Sequence, residues 1–88
     1  MSHWVILVGL ARLACNQGDY RRAAALFGVV EASHEALGRH RSPAAQAKHD
    51  QGVASARAGL EEAAFAAAWA KGRAMTLEEA IEYALSDA

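Results

Sequence analysis

Leu10-Ala11-Arg12-Leu13-Ala14-Cys15-Asn16-Gln17-Gly18-Asp19-Tyr20-Arg21-Arg22-Ala23-Ala24-Ala25-Leu26-Phe27 is the stretch that decides the fold. An apolar pattern at three- and four-residue steps runs into Gln17-Gly18-Asp19, and a second such pattern starts at Tyr20. Gly18 suits the left-handed residue just past a helix end. Asp19 has the short acceptor side chain that caps the start of the next helix. Two apolar-faced helices joined by so short a break form a helical hairpin.

Upstream of the turn, the spacing predicts a helix from His3 to Asn16 with Leu7, Leu10, Ala11 and Ala14 on one face. Val5, Ile6 and Val8 make this helix apolar almost all round, so it should be covered on two sides or stand at the open end of a longer stack. Downstream, a second helix is expected from Tyr20 to Leu37, its inner stripe formed by Ala23, Leu26, Phe27, Val30 and His34. Gly38 should stop it, and Arg39-His40-Arg41 reads as a polar loop. Ser42-Pro43 then starts a third helix, with Ser as the cap and Pro at the first helical position. Its expected face is Ala45, His49, Val53, Ala56 and Leu60, weakened by Gly52, which costs up to ~1 kcal/mol against Ala.

Gly59 marks a break. A fourth helix should run from Glu61 to Lys71, with Phe65, Ala68 and Trp69 facing inward and Gly72 as its stop. Thr76-Leu77-Glu78-Glu79 is a capping box opening a fifth helix, Leu77 to Leu85, with Leu77, Ala80, Ile81, Ala84 and Leu85 on its apolar face.

The composition agrees with an all-α class. The chain has 88 residues, 23 of them Ala, with one Pro, and Ala is the best helix former. A hydrophobic share of 53% against 22% charged residues describes a globular domain,. A domain this small buries only ~60–65% of its unfolded surface, and Ala contributes little area per residue, so help from a dimer or a neighbouring segment is expected. A net charge of −1 gives no global pull toward nucleic acid or membrane,. Cys15 is the single cysteine, which excludes an internal disulfide framework and fits a cytoplasmic location,. Trp4 to Ala11 is too short to span a bilayer. Arg12 inside Leu13-Ala14-Cys15's approach, and no Lys or Arg before the apolar run, reverse the order of a secretory signal. A buried first helix is the expectation there.

The first hairpin resembles one tetratricopeptide repeat. The matching residues are Leu7, Leu10 and Ala11, the turn Gly18-Asp19-Tyr20, and Ala23 and Phe27. It departs from the family where Val30 replaces a small Ala, and where Gly38 and the Arg39–Arg41 loop stand instead of a closing Pro. Gly28-Val29-Val30-Glu31-Ala32, Gly38 and Phe65 through Ala80 are similar to the C-terminal end of large bacterial signalling ATPases, many of which also carry a LuxR-type DNA-binding domain. That resemblance implies a TPR-like hairpin over residues 3–38 and capping helices over 42–88 in a single all-α domain, with right-handed helical-repeat packing. It also implies a non-enzymatic interaction or capping module of a signalling or transcriptional regulator.

Repeat proteins of this kind bind partners on the face of the first helix of each hairpin. By position, the resemblance places Val5, Val8, Arg12, Cys15 and Asn16 there, with Arg12 and Asn16 one turn apart and able to hydrogen-bond an extended peptide. The expected partner is a protein, a peptide or a second copy in a homodimer; no direct nucleic-acid or membrane contact and no cofactor or metal is expected. His3, His34, His40 and His49 lack metal-ligand spacing, and His34 and His49 read as core or boundary histidines. Phe65 and Trp69, one turn apart, read as a core pair. Glu61-Glu62 and Glu78-Glu79 are adjacent, diverge by ~100° on a helix and suit helix N-termini instead. Nucleic-acid binding would have to run through Arg39, Arg41, Lys48 and Arg57, with which no aromatic is interleaved, and the net charge is negative,. Nothing reads as a catalytic constellation. A stand-alone homodimeric adaptor, or a helical small-molecule sensor, are the other functions these residues allow. The expected core is Leu10, Leu13, Ala23, Phe27, Val30, Val53, Phe65, Trp69, Leu77 and Ile81, with Trp69→Ala costing ~3–5 kcal/mol.

Overall fold

Local chemistry sets each helix boundary. The computed structural model describes residues 3–38 and 42–85, excluding the side chains of His3, Trp4, Val5 and Leu37. All its regular structure is α-helical: α1 (His3–Asn16), α2 (Tyr20–Leu37), α3 (Pro43–Ala58), α4 (Glu62–Ala74) and α5 (Leu77–Leu85). Gly18 takes the left-handed conformation after α1, at φ +80°. The Arg22 backbone N–H donates to the Asp19 carboxylate at 3.4 Å, capping α2. Gly38 closes α2 at φ +63°. The Ala45 N–H donates to the Ser42 hydroxyl at 3.2 Å. At α5 the capping box is complete: Glu79 N–H donates to the Thr76 hydroxyl at 3.1 Å, and Thr76 N–H donates to the Glu79 carboxylate at 2.9 Å.

α2 is the centre of the molecule. Every residue from Ala23 to Val30 is buried, which is more than two turns and therefore every side of the helix. A helix buried all round must be enclosed, and α1, α3, α4 and α5 all pack against it. This replaces the single inner stripe expected for this helix. Phe27, Leu7, Leu26, Val29 and Val30 are the largest fully buried side chains, each contributing ~1.5–3 kcal/mol by leaving water.

Small residues let the neighbours approach. α4 is the most intimate of them, and it crosses α2 backbone to backbone. A Cβ built on Gly28 would lie 2.6 Å from the Trp69 carbonyl oxygen. One built on Gly72 would fall on the Ala25 carbonyl, 2.6 Å from its carbon. Gly72, expected to terminate the fourth helix, is a buried residue inside α4, which continues to Ala74. A glycine that stops a helix and one that admits a neighbouring backbone look alike in sequence. Gly52 likewise lies under the Phe27 ring and Gly59 under the Tyr20 ring.

The expected core is corrected at its edge. Leu13 is 49% exposed. It stands two residues from buried Ala11 and is therefore turned ~200° away from the covered face. Ala45 is exposed too; of the face expected for the third helix His49 and Ala56 are buried, and Val53 and Leu60 are half-buried. Leu10, Val53, Trp69, Leu77 and Ile81 are half-buried against the core, while Ala23, Phe27, Val30 and Phe65 lie in it. Leu7, Leu26 and Val29 take the central places that Leu13 and Trp69 were expected to hold. No helix among the described residues is long and apolar enough to cross a membrane.

Candidate functional site

α1 presents two different surfaces to its surroundings. Its C-terminal half runs beside α3, and the two helices enclose an open cleft of about 160 Å³. Arg12, Cys15 and Asn16 line the cleft from α1. Lys48, Gln51 and Ser55, at three- and four-residue spacing, line it from α3,. The structure thus brings three of the five candidate residues together. Val8 instead packs half-buried against the core, and the side chain of Val5 lies outside the described residues. The α3 contribution was missed in the sequence, although the spacing of Lys48, Gln51 and Ser55 on a capped helix would have marked it.

The cleft carries two cationic side chains and no carboxylate in its lining. Asp50 lies two residues from Lys48, turned away on α3, where Gln46 donates to it at 2.8 Å,. The Cys15 thiol donates to the Gly52 carbonyl oxygen at 3.8 Å, and burial pushes this thiol up from its ordinary pKa. A protonated, hydrogen-bonded thiol is a packing group and a poor nucleophile.

The second surface is the outer ridge of α1. Ile6 is 45% and Leu13 49% exposed, seven residues and two turns apart, so they share one side of the helix. Gly9 lies between them, and a Cβ placed there would meet nothing within 4 Å. Two apolar knobs flank an open notch.

The remaining candidates have structural roles. His49 is buried, its Nε2 lies 2.9 Å from a Glu31 carboxylate oxygen, and its ring meets Phe27 edge-on at 5.6 Å. It is a partnered core histidine. His34 is half-buried, while His3 and His40 fall outside the described side chains. Among the described residues no group of three or more His, Cys, Asp or Glu could hold a metal ion. Phe65 and Trp69 stack at 5.7 Å, and Arg57 lies 4.6 Å over the Phe65 ring. Arg57 therefore serves α4, whereas Lys48 faces α1, and the structure does not gather these two cations into a stripe. Arg39 and Arg41 lie outside the described residues. Glu61 stands at the start of α4 and Glu79 is spent in the α5 cap.

No protein-family model, curated protein or solved structure matches the chain.

Proposed function

We propose that this chain is a non-enzymatic helical module for protein contact, docking through the outer face of α1. The observation that carries the reading is the Ile6–Gly9–Leu13 ridge, two half-exposed aliphatic side chains around an open glycine notch. Arg12 and Asn16 flank the ridge and supply polar contacts to whatever covers it. On α5, Glu78, Glu79 and Glu82 are exposed, the polar outer side that a terminal element of a helical array needs. Together with the resemblance of the first hairpin to a tetratricopeptide repeat, this supports a capping or interaction role within a bacterial signalling or transcriptional regulator, with a protein or peptide as partner.

Area decides between docking on a larger partner and forming a stable dimer. Half-exposed Ile6 and Leu13 together offer on the order of 100 Å² of apolar surface, against ~800 Å² that each partner of a stable complex buries. The ridge is a contributor to a larger contact. A stand-alone homodimeric adaptor is the second reading, favoured by Gly9, whose notch lets two copies of α1 approach closely.

Light scattering over a dilution series tests both. The first reading expects no dimer below tens of micromolar, and unchanged helicity in Ile6→Glu/Leu13→Glu. A dimer that persists near ~1 μM would favour the homodimeric adaptor. Monomeric behaviour of both proteins at every concentration would refute the homodimeric adaptor and leave docking on a larger partner standing.

A further inference from the structure

α5 leans on α1 and α2 and diverges from α4, and the gap between them is a half-enclosed cavity of about 240 Å³. Its wall is made of Ala25 on α2 and Ala64, Ala67 and Ala68 on α4. Four methyl-sized side chains leave room that larger apolar residues would fill. Tyr83 closes one side with its ring. Arg21 and Lys71 stand at the mouth, and no carboxylate lines the cavity. Neither cation is ion-paired among the described residues. The Lys71 ammonium instead lies 5.0 Å from the Tyr83 ring centroid, and Arg22 lies 5.5 Å from the same centroid. The nearby charge of Asp19 is already engaged by Arg22 at 3.3 Å. Arg21 also belongs to the first turn of α2, where the helix dipole favours negative charge.

We infer that this cavity is a binding site for a small amphipathic carboxylate, an aryl or short-chain acid. The apolar body would lie on the alanine wall against the Tyr83 ring, and the carboxylate between Arg21 and Lys71. The volume suits this class, since an apolar cavity of roughly 150 Å³ holds benzene and the larger space here admits a ring with one substituent. The lining suits it too, being mostly apolar with a few polar groups at one end, as small-molecule sites are. A polar anion without a body leaves the alanine wall wet, and an apolar molecule without a charge leaves both cations unpaired. The site is separate from the α1 ridge and cleft, so it stands or falls independently of the contact function.

The test is a titration of the full chain with sodium benzoate, followed by amide chemical shifts, with acetate, benzyl alcohol and inorganic phosphate as comparison probes. Benzoate is expected to bind with a Kd of roughly 1 mM, moving the amides of Ala64, Ala67, Ala68, Lys71 and Tyr83. Acetate, benzyl alcohol and phosphate should each bind at least ~10-fold more weakly. Arg21→Gln/Lys71→Gln should weaken benzoate by at least ~10-fold. Ala67→Leu, at an exposed position of the wall, should block it while both cations remain. The inference is overturned if benzoate moves no cavity amide, if acetate or phosphate binds as tightly, if benzyl alcohol binds as tightly, or if the charge variant keeps full affinity.

Discussion

Replacing Gly72 by Ala should destabilise this chain, although Gly→Ala in a helix interior ordinarily stabilises by ~1 kcal/mol. The reason is the α2–α4 crossing. A Cβ on Gly72 would lie 2.6 Å from the Ala25 carbonyl carbon and 2.8 Å from its Cα. Carbon atoms settle at ~3.5–4.0 Å, so α4 must retreat by about 1 Å. The obstacle is backbone and cannot swing aside as a side chain would. A gap of that size forfeits roughly a quarter to a half of the dispersion attraction across it, and overpacking typically costs ~1–3 kcal/mol. The upper end applies, because the retreat opens the most extensive interface in the molecule. After the helix-propensity gain, the net loss is about 2 kcal/mol. Against a total stability of ~4–13 kcal/mol for a chain of this length, that lowers Tm by roughly 8–16 °C. Urea unfolding followed by far-ultraviolet circular dichroism measures it. Gly9→Ala is the control: a Cβ there meets nothing, and the variant should gain up to ~1 kcal/mol. If Gly72→Ala matches or exceeds the wild type in stability, the backbone-to-backbone crossing is wrong.

Two further outcomes follow from burial. Phe27→Ala, which empties a fully buried site beside His49 and Gly52, should cost ~3–5 kcal/mol, and Trp69→Ala, only half-buried, about 2 kcal/mol; the reverse order in chemical denaturation would refute the placement of α2 at the centre. The Cys15 thiol is pushed up by burial, so the folded chain holds its proton where the unfolded chain releases it. The resulting stability is fully present below the ordinary thiol pKa of ~8.5 and declines above it, through the raised folded pKa. The loss of Tm from pH 8 to pH 10, roughly spanning that thiol value, should therefore be smaller in Cys15→Ala than in the wild type. An equal loss in both would show that Cys15 is not buried against Gly52.

Much of the fold was legible because its signals are local. A cap is one side chain and a few backbone groups within a single turn, so Asp19, Ser42 and the Thr76–Glu79 box could be read without any knowledge of the fold. The same holds for the left-handed turns at Gly18 and Gly38. The buried face of α1, Leu7, Ala11 and Ala14, followed from periodicity, because α1 is covered mainly on one side. Periodicity misled at α2, where a helix enclosed on all sides has no single inner stripe to find. Leu13 lies off the face that periodicity gave α1, and only its hydrophobicity, which is the same toward core or solvent, put it in the expected core. The candidate cleft was half legible: Arg12, Cys15 and Asn16 share one side of their own helix, but Lys48, Gln51 and Ser55 reach them from more than thirty residues away.

The chain's residues determined by themselves the helical class, the number of helices and where each begins, since those depend on hydrogen bonds and dihedral preferences that close within four residues. Tertiary structure decided which helix is central and how closely its neighbours approach. It made Gly28 and Gly72, the latter expected to stop a helix, the contact between α2 and α4, turned Gly52 from an expected helix weakness into the seat of the Phe27 ring, and gathered four alanines, Arg21, Lys71 and Tyr83 into one cavity. The physical reason is that an Ala- and Gly-rich surface is compatible with many packings. Small side chains carry little shape of their own, and their meaning comes from the atoms that the rest of the chain brings against them.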